Sequence, residues 1–226
     1  MCQSNNGGDM MRKVYRIPFA KQPEANRLCA APKAWLKNWY PVPEGEYCPA
    51  TYGQLLRTPL ALYVRLVCEE QSPLARQRLP NSPVCTDSCM EFFLNPVPRN
   101  NTFINFELNS RGTMLMGLNE NGDFHCLDPA LQAGCFPAAS VDEKQGIWEV
   151  RFCIPDSLLH RFFPEFDPDQ TLQMRGNFYK CGDSAKVPHY GSWNPVARRP
   201  IDFHCPECFG ELTVSPVIRE FIGSCE

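Results

Sequence analysis

The chain has 226 residues with a formal net charge of −3, and 43% of its residues are hydrophobic. This length and composition are typical of a soluble globular protein with one core. Its 22 Lys and Arg against 25 Asp and Glu leave no basic excess for nucleic acid or an anionic membrane surface. The 22 Pro and 12% aromatic residues favour short elements joined by rigid turns over a helical bundle. We therefore predict a mostly β protein whose partners include neither nucleic acid nor a membrane.

The N-terminal sequence and the cysteines bear on the compartment. Arg16, Pro18 and Lys21 interrupt the stretch in which a signal peptide would need its apolar core. No later window approaches the ~18 uninterrupted apolar residues of a membrane helix. The sequence therefore predicts a cytoplasmic protein, or an extracellular or periplasmic one if a leader was removed, with residues 1–12 disordered. Its 13 cysteines are odd in number and scattered, so most are expected to be reduced.

Strand candidates follow one another along the chain. Residues 13–18 and 34–40 are the weaker ones, and residues 60–69 are rich in Leu, Val and Tyr. Residues 90–94 end at Asn95-Pro96. Residues 102–108 alternate with a period of two, and residues 114–118 follow across a short turn, which predicts a hairpin.

The second half of the chain continues this pattern. Residues 146–154 alternate until Pro155 ends the strand, and residues 156–163 predict one helical turn with Asp156 as its cap. Residues 172–180 and 209–217 supply two more strands. The sequence thus predicts an all-β fold, an antiparallel β-sandwich of immunoglobulin or jelly-roll type with about eight to ten strands and little helix. We expect residues 1–226 to form a single domain.

The segment 175–210 concentrates aromatic and polar side chains. A sugar presents apolar C–H faces ringed by hydroxyls, so its site needs a flat ring for stacking and polar groups for the hydroxyls. Trp193 and Phe203 are the predicted stacking residues, because Trp193 lies in a loop sequence where aromatic residues are often exposed. The alternative is that both rings are core residues. The residues predicted to complete the site are Arg175, Asn177, Tyr179, Tyr190 and Glu91.

Other kinds of site have weaker support. The Cys205-x-x-Cys208 motif beside His204 is a zinc signal, but it lacks a second pair at recognised spacing. A glycan-acting hydrolase would need two carboxylates across a cleft. No spacing singles out a pair among the acidic candidates Asp87, Glu91, Glu107, Asp123, Asp202 and Glu207. We therefore expect no metal, no cofactor and no catalytic residues.

The order of several short motifs resembles that of the family 9-like carbohydrate-binding modules. The resemblance covers roughly residues 60–216, and its motifs are 87–94 (DSCMEFFL), 103–109 (FINFELN), 146–155 (GIWEVRFCIP), 175–180 (RGNFYK), 192–193 (SW), 203–204 (FH) and 209–212 (FGEL). It implies an antiparallel β-sandwich that binds an oligosaccharide or polysaccharide without cleaving it.

The resemblance also carries expectations about the site. Sugar-binding members clamp a chain end between two aromatic side chains, and one of these positions falls here at or near Phe203. The other falls at Val84 or Cys85, neither of which can stack, so Tyr190 or Trp193 would have to take that place. Calcium is associated with such modules, but this sequence has no dense Asp/Asn ligand loop. Relatives of the sandwich also include haem-binding domains, for which Met90, Met114, Met116 and Met174 offer the residue type.

Overall fold

The computed structural model describes residues 12–215 as two facing β-sheets with two short α-helices and three 3-10 helices, which span Val84–Thr86, Pro129–Cys135 and Pro206–Cys208. The elements follow in the order β1 (Val14–Ile17), α1 (Ala25–Ala30), β2 (Ala34–Trp35), β3 (Asn38–Tyr40), β4 (Thr51–Arg57), β5 (Ala61–Glu69), β6 (Cys89–Asn95), β7 (Phe103–Asn109), β8 (Met114–Glu120), β9 (Asp123–Cys126), β10 (Ala138–Asp142), β11 (Ile147–Pro155), α2 (Asp156–Phe162), β12 (Gln173–Cys181), β13 (Tyr190–Ser192) and β14 (Gly210–Val214). The expected disorder of residues 1–12 lies, apart from Arg12, outside the described residues.

The topology confirms the predicted sandwich. Sheet A has the order β1-β14-β12-β6-β7-β8-β9, and β13 pairs with β12 and β3. Sheet B has the order β10-β11-β5-β4-β2. Strand β1 runs parallel to β14, whereas the other strand ladders of the described residues are antiparallel.

The predicted hairpin is present as β7 and β8. Asn109 begins its turn, and the Oδ1 of Asn109 accepts hydrogen bonds from the backbone N–H groups of Arg111 (3.0 Å) and Thr113 (3.1 Å). Gly112 has a φ of 79°, a conformation that L side chains rarely adopt. The turn chemistry therefore fixes the register in which β7 and β8 pair.

The core lies between the two sheets. Phe106 of β7 contacts Phe152 of β11 across the interface, with 5.2 Å between the ring centroids. Burying one such side chain stabilises the fold by about 1.5–3 kcal/mol. The four methionines considered as haem ligands are all buried in this core, which assigns them to packing: Met90, Met114, Met116 and Met174.

Strand β4 was not predicted, because its sequence (TYGQLLR) does not alternate between apolar and polar residues. Gln54 on this strand donates from Nε2 to the carbonyl oxygens of Cys29 (2.9 Å) and Ala31 (2.6 Å). Arg57 forms a two-pronged ion pair with Asp156, at 2.5 and 2.7 Å. The predicted capping role of Asp156 is wrong, since Pro155 occupies the cap and Asp156 lies in the first turn of α2.

The outer face of sheet A carries a second apolar cluster. Strand alternation turns Phe93, Phe103 and Tyr179 away from the core, and the segment 193–209 covers them. Within that segment Cys205 and Cys208 form a disulfide, so this CxxC motif is not a pair of free zinc ligands. The part of the face that the segment leaves uncovered is the place of the candidate site.

Candidate functional site

A cleft of about 530 Å³ opens on the outer face of sheet A. Its floor comes from the strands β6, β7, β8 and β12, and its walls come from β9, β13 and the loops around them. Glu91, Glu107 and Cys181 lie in the floor, whereas Phe203 and Phe124 belong to the walls. The cleft is therefore a polar floor between aromatic sides.

Two carboxyl groups lie side by side in the floor. Glu91 and Glu107 are direct partners in the antiparallel β6–β7 ladder, so their side chains leave the sheet on the same face. The thiol of Cys181 donates to Oε1 of Glu91 at 2.8 Å, and Nδ2 of Asn105 donates to Oε1 of Glu107 at 2.8 Å. Among residues 12–215, the second oxygen of each carboxyl has no hydrogen-bond partner. Each can therefore accept a hydrogen bond from a ligand.

Burial and mutual repulsion disfavour the charged forms of these carboxyls. Burial raises the pKa of Glu107 to about 7. Burial, followed by the charge of Glu107, raises the pKa of Glu91 well above its ordinary value. Burial also raises the pKa of Asp183, which lines the same cleft. Glu107 therefore titrates near neutral pH, and the environment of the other two carboxyls also favours their protonated forms.

One aromatic wall is built by stacking. The ring of Phe203 stacks on that of Tyr179, and Tyr190 meets Phe203 edge-on with 6.4 Å between centroids. The hydroxyl of Tyr179 donates to the carbonyl oxygen of Phe203 at 3.2 Å. Phe203 and Tyr190 both line the cleft, so the wall offers an apolar surface held from beneath.

A second aromatic surface comes from β9. Phe124 is 42% exposed and lines the cleft. Its ring lies over Gly117 of β8, where a Cβ atom would come within 2.2 Å of the ring. The imidazole of His204 meets Phe124 edge-on at 5.6 Å. Sequence reasoning missed Phe124, although a glycine inside a strand is a recognised sign of a close approach.

Three of the predicted site residues, Glu91, Tyr190 and Phe203, line this cleft. Tyr179 supports the wall from below and is itself buried. Glu107 was one of several unranked carboxylates in the sequence. Its place opposite Glu91 depends on strand pairing, which the sequence alone does not specify.

The prediction that Trp193 is an exposed stacking surface is wrong. Trp193 is 5% exposed, and its ring contacts Tyr15 and Phe178 at centroid distances of 6.3 and 5.9 Å. Its backbone N–H donates to the carbonyl oxygen of Phe178 at 2.9 Å, which turns the chain inward after β13. Trp193 is therefore a core residue, the alternative that the sequence left open.

Two further predicted residues also lie outside the cleft. Asn177 is fully buried, and its amide group is used internally: Nδ2 donates to the carbonyl oxygen of Asn194 at 2.9 Å, and Oδ1 accepts from the Asn194 N–H at 2.8 Å. Arg175 is opposite Glu211 of β14 and does not line the cleft. Neither side chain is placed to pair with a sugar hydroxyl in this cleft.

Val84 and Cys85, the two positions that the family resemblance implies for the second clamp aromatic, lie in different surroundings. Val84 is fully buried, whereas Cys85 lines the cleft. Burial raises the pKa of the Cys85 thiol to about 12, so the thiol is neutral. The cleft therefore has a small neutral side chain where a stacking ring would fit the family pattern.

A thiol–carboxyl group lies at one end of the floor. The ligand atoms of Cys89, Glu91 and Cys181 all lie within 4.8 Å of one another. Two sulfurs and an oxygen are a donor set that thiophilic ions such as Zn²⁺ prefer. The hydrogen bond between Cys181 and Glu91 satisfies these groups in the absence of an ion.

A buried polar cluster lies on the opposite face of β12. The Nζ of Lys180 lies 3.2 Å from Oε2 of Glu70 and 2.7 Å from Nε2 of His189. Nδ1 of His189 lies 2.8 Å from the Val187 carbonyl oxygen and so carries the proton, which leaves Nε2 to accept from Lys180. Burial, followed by the charge of Lys180, lowers the pKa of His189 to about 4. Burial alone would raise the pKa of Glu70, but Lys180, Ser88 and His189 together lower it. This cluster ties β12 to the segment after β5.

No helix within residues 12–215 combines the length and apolar character that crossing a membrane requires.

No curated protein matches the chain.

Among solved structures, a candidate carbohydrate-binding protein from Bacteroides uniformis has a TM-score of 0.73 at 25% identity, over 90% of this chain and 100% of that one. A family 9 carbohydrate-binding module from Caldicellulosiruptor kristjanssonii in complex with cellotriose has a TM-score of 0.65 at 10% identity, over 95% and 100%. A module of the same family and organism in complex with glucose has a TM-score of 0.60 at 10% identity, over 90% and 96%. At 10% identity these two likenesses show the fold alone.

The sequence profile of carbohydrate-binding family 9 matches residues 30–214, which is most of the chain. The match spans every strand from β2 to β14 and both sides of the cleft. The chain therefore belongs to carbohydrate-binding family 9.

Proposed function

We propose that this protein binds a saccharide, without cleaving it, in the cleft between Phe203 and the carboxyl floor. The observation that carries the proposal is the position of the Phe203 ring beside Glu91 and Glu107 in one cleft. A sugar can stack an apolar face on the ring while its hydroxyls donate to the free carboxyl oxygens. Family membership supports this function, and the modules solved with cellotriose and glucose support a glucose-type ligand.

The placement of the carboxyls favours binding over hydrolysis. A glycosidase holds its two carboxyl groups on different sides of the bond that breaks. Glu91 and Glu107 instead leave neighbouring strands side by side on one face, so both approach a ligand from the same side. This geometry suits the recognition of hydroxyl groups.

The cysteines support a reducing compartment. Eight cysteines of the described residues are free thiols and five of these are buried, whereas Cys205 and Cys208 form a disulfide. Free thiols persist in the reducing cytoplasm, whereas the thiols of secreted proteins tend to be oxidised to disulfides. We infer a cytoplasmic location on this ground. Counting reactive thiols in protein that is denatured without reductant tests it: at least eight should react, and oxidation of most of them would contradict the inference.

Isothermal titration with glucose and cellotriose tests the function. Binding of either sugar, weakened by Phe203→Ala, supports the proposed cleft. Binding that is unaffected by changes at both Phe203 and Glu91 would place the sugar elsewhere. The absence of binding to a panel of neutral, amino and acidic sugars would contradict the proposed function.

A further inference from the structure

We propose that this cleft selects sugars that carry a protonated amino group over neutral and acidic sugars. The inference rests on saccharide binding in the cleft and adds the class of sugar that it prefers. Three features carry it: the charges that line the cleft, the hydrogen-bonding atoms left free in its floor, and the aromatic wall beside them.

The lining of the cleft is mostly acidic, and the one basic side chain in it among the described residues is His204, whose Nδ1 lies 3.6 Å from Oδ1 of Asp202 and whose pKa is lowered by burial. Glu91, Glu107, Asp183 and Asp202 line the cleft, but no Lys or Arg does so among the described residues. Asp202 is balanced from outside by Arg198, with 2.7 Å between Nη1 and Oδ2. The other three carboxyls have no ion-pair partner within residues 12–215. The pKa values of these carboxyls are raised in the cleft, so an ammonium group would favour their ionised forms and pair with them. A uronic acid would instead disfavour the ionised forms and gain no such pairing.

The oxygen atoms left free in the floor of the cleft can accept hydrogen bonds from a ligand. The second carboxyl oxygens of Glu91 and Glu107 have no protein partner among the described residues. An ammonium group offers three donors and no acceptor, whereas a hydroxyl offers one donor. The floor therefore matches an ammonium group better than it matches a hydroxyl.

The aromatic wall favours a sugar over a bare cation. Phe203 and Phe124 give the cleft apolar surface beside the carboxyls, which a metal ion would not use. An amino sugar presents both an apolar ring face and an ammonium group. Its ring can stack on the wall while its nitrogen faces the floor.

Calorimetric titration with four probes tests the proposal: glucosamine, glucose, N-acetylglucosamine and glucuronic acid, at one neutral pH and one ionic strength, with a chelator present. Glucosamine should bind about tenfold more tightly than glucose, since a charge-assisted hydrogen bond replaces a neutral one. N-acetylglucosamine, which has lost the charge, should not share this advantage, and glucuronic acid should bind more weakly than glucose.

Glu107→Gln keeps the shape of the floor and removes one ionisable group. It should bring the ratio of glucosamine to glucose affinity close to one, and Asp183→Asn should reduce the same ratio if the first variant folds poorly. Glu165→Gln is the matched control, because Glu165 is exposed and pairs with Arg99 far from the cleft. The control should keep the ratio of the unchanged protein.

Several outcomes would overturn the inference and leave the proposed function intact. One is glucose binding that equals or exceeds glucosamine binding. Another is a glucosamine preference that survives both Glu107→Gln and Asp183→Asn. A third is tight Zn²⁺ binding that is lost in Cys181→Ser, without a glucosamine preference in the chelated protein, since the floor would then serve a metal ion. Failure of all four sugars and of cellotriose to bind would instead remove the proposed function itself.

Discussion

The ring of Phe203 lies parallel to the ring of Tyr179, with 4.2 Å between the centroids and an interplanar angle of 11°. Tyr179 belongs to β12, whereas Phe203 comes from the segment that follows β13. The rigid strand therefore holds a loop residue in a fixed orientation. A pre-oriented ring loses little side-chain entropy when a sugar stacks on it.

Phe203→Ala should weaken the binding of cellotriose by about 1–3 kcal/mol, because the ligand loses a large apolar contact. Isothermal titration measures the change, and the thermal midpoint checks the fold. Trp193→Ala provides the contrast: truncating a core Trp should cost roughly 3–5 kcal/mol of stability through the cavity it leaves. An exposed, binding role for Trp193 would instead give a variant of unchanged stability and reduced affinity.

Cys85→Trp should strengthen cellotriose binding, because a ring at this position would face the ligand from the side that lacks an aromatic clamp. Stacking of this kind contributes about 0.5–1.5 kcal/mol beyond the area it buries. The matched control is Cys29→Trp, since Cys29 is an exposed thiol on α1, outside the cleft. Equal affinities for the two variants and the unchanged protein would show that position 85 does not face the sugar.

The buried cluster around His189 should make the protein less stable in mild acid. The pKa of the His189 imidazole is about 4 in the folded chain, against 6.5 for an ordinary histidine. The unfolded chain therefore binds more protons than the folded chain between these two pH values. The contribution of His189 to stability is complete above about pH 6.5 and should fall as the pH decreases towards about 4, by up to about 3 kcal/mol. Glu70 and Lys180 are the charged groups that face the imidazole. The lowered pKa of Glu70 acts in the same direction at the acidic end.

Urea unfolding near neutral pH and at about pH 5 measures this loss. The raised pKa values of Glu91 and Glu107 act in the opposite direction over this range, so the contribution of His189 is measured by comparison with a variant. His189→Gln keeps an acceptor for Lys180 but does not titrate, so it should lose less stability in acid than the unchanged protein. His125→Gln is the control, since His125 is 54% exposed on β9. An identical pH dependence in His189→Gln and the unchanged protein would show that His189 is not held neutral.

Arg57 and Asp156 should be strongly coupled. Breaking a buried ion pair by removing one partner leaves an uncompensated charge, so Arg57→Ala should destabilise the fold by about 3–5 kcal/mol. Asp156→Asn should also be destabilising, and the double variant should lose less than the sum of the two. Arg99→Ala is the exposed counterpart, and its effect should stay within about 0.5 kcal/mol. Additive effects of the two buried variants in urea unfolding would contradict the coupling.

The clearest strand predictions came from alternation with a period of two. Residues 102–108 and 146–154 alternate between an apolar face and a face that carries polar residues, and both are strands in the structure. Strand β4 has no such alternation, and its burial on both faces, including that of Gln54, is visible only in the structure. Strand β9 was also not predicted. All four of its residues are exposed, so burial imposes no pattern on its sequence.

In the site, too, features that depend on neighbouring residues were predicted, whereas features that depend on contacts between distant residues were not. Phe203 and Tyr190 were predicted from the density of aromatic residues in one segment, and that signal is local. The burial of Trp193 depends on Tyr15, which is 178 positions away in the chain and supplies part of its packing. The meeting of Glu91 and Glu107 depends on the register of two strands. Such contacts arise only once the chain has folded, so residue type and spacing do not reveal them.

The floor of the cleft belongs to a hydrogen-bonded ladder, whereas much of its wall belongs to connecting segments. A change of loop length or sequence around Phe203 would alter how many sugar rings the protein can hold without disturbing strand pairing. A change in the ligand charge that the protein recognises would require substitution of Glu91 or Glu107, and both residues lie in the paired strands β6 and β7. In this fold, the size of the ligand can therefore change gradually through the loops. The charge of the ligand cannot change without substitutions in strands that also stabilise the protein.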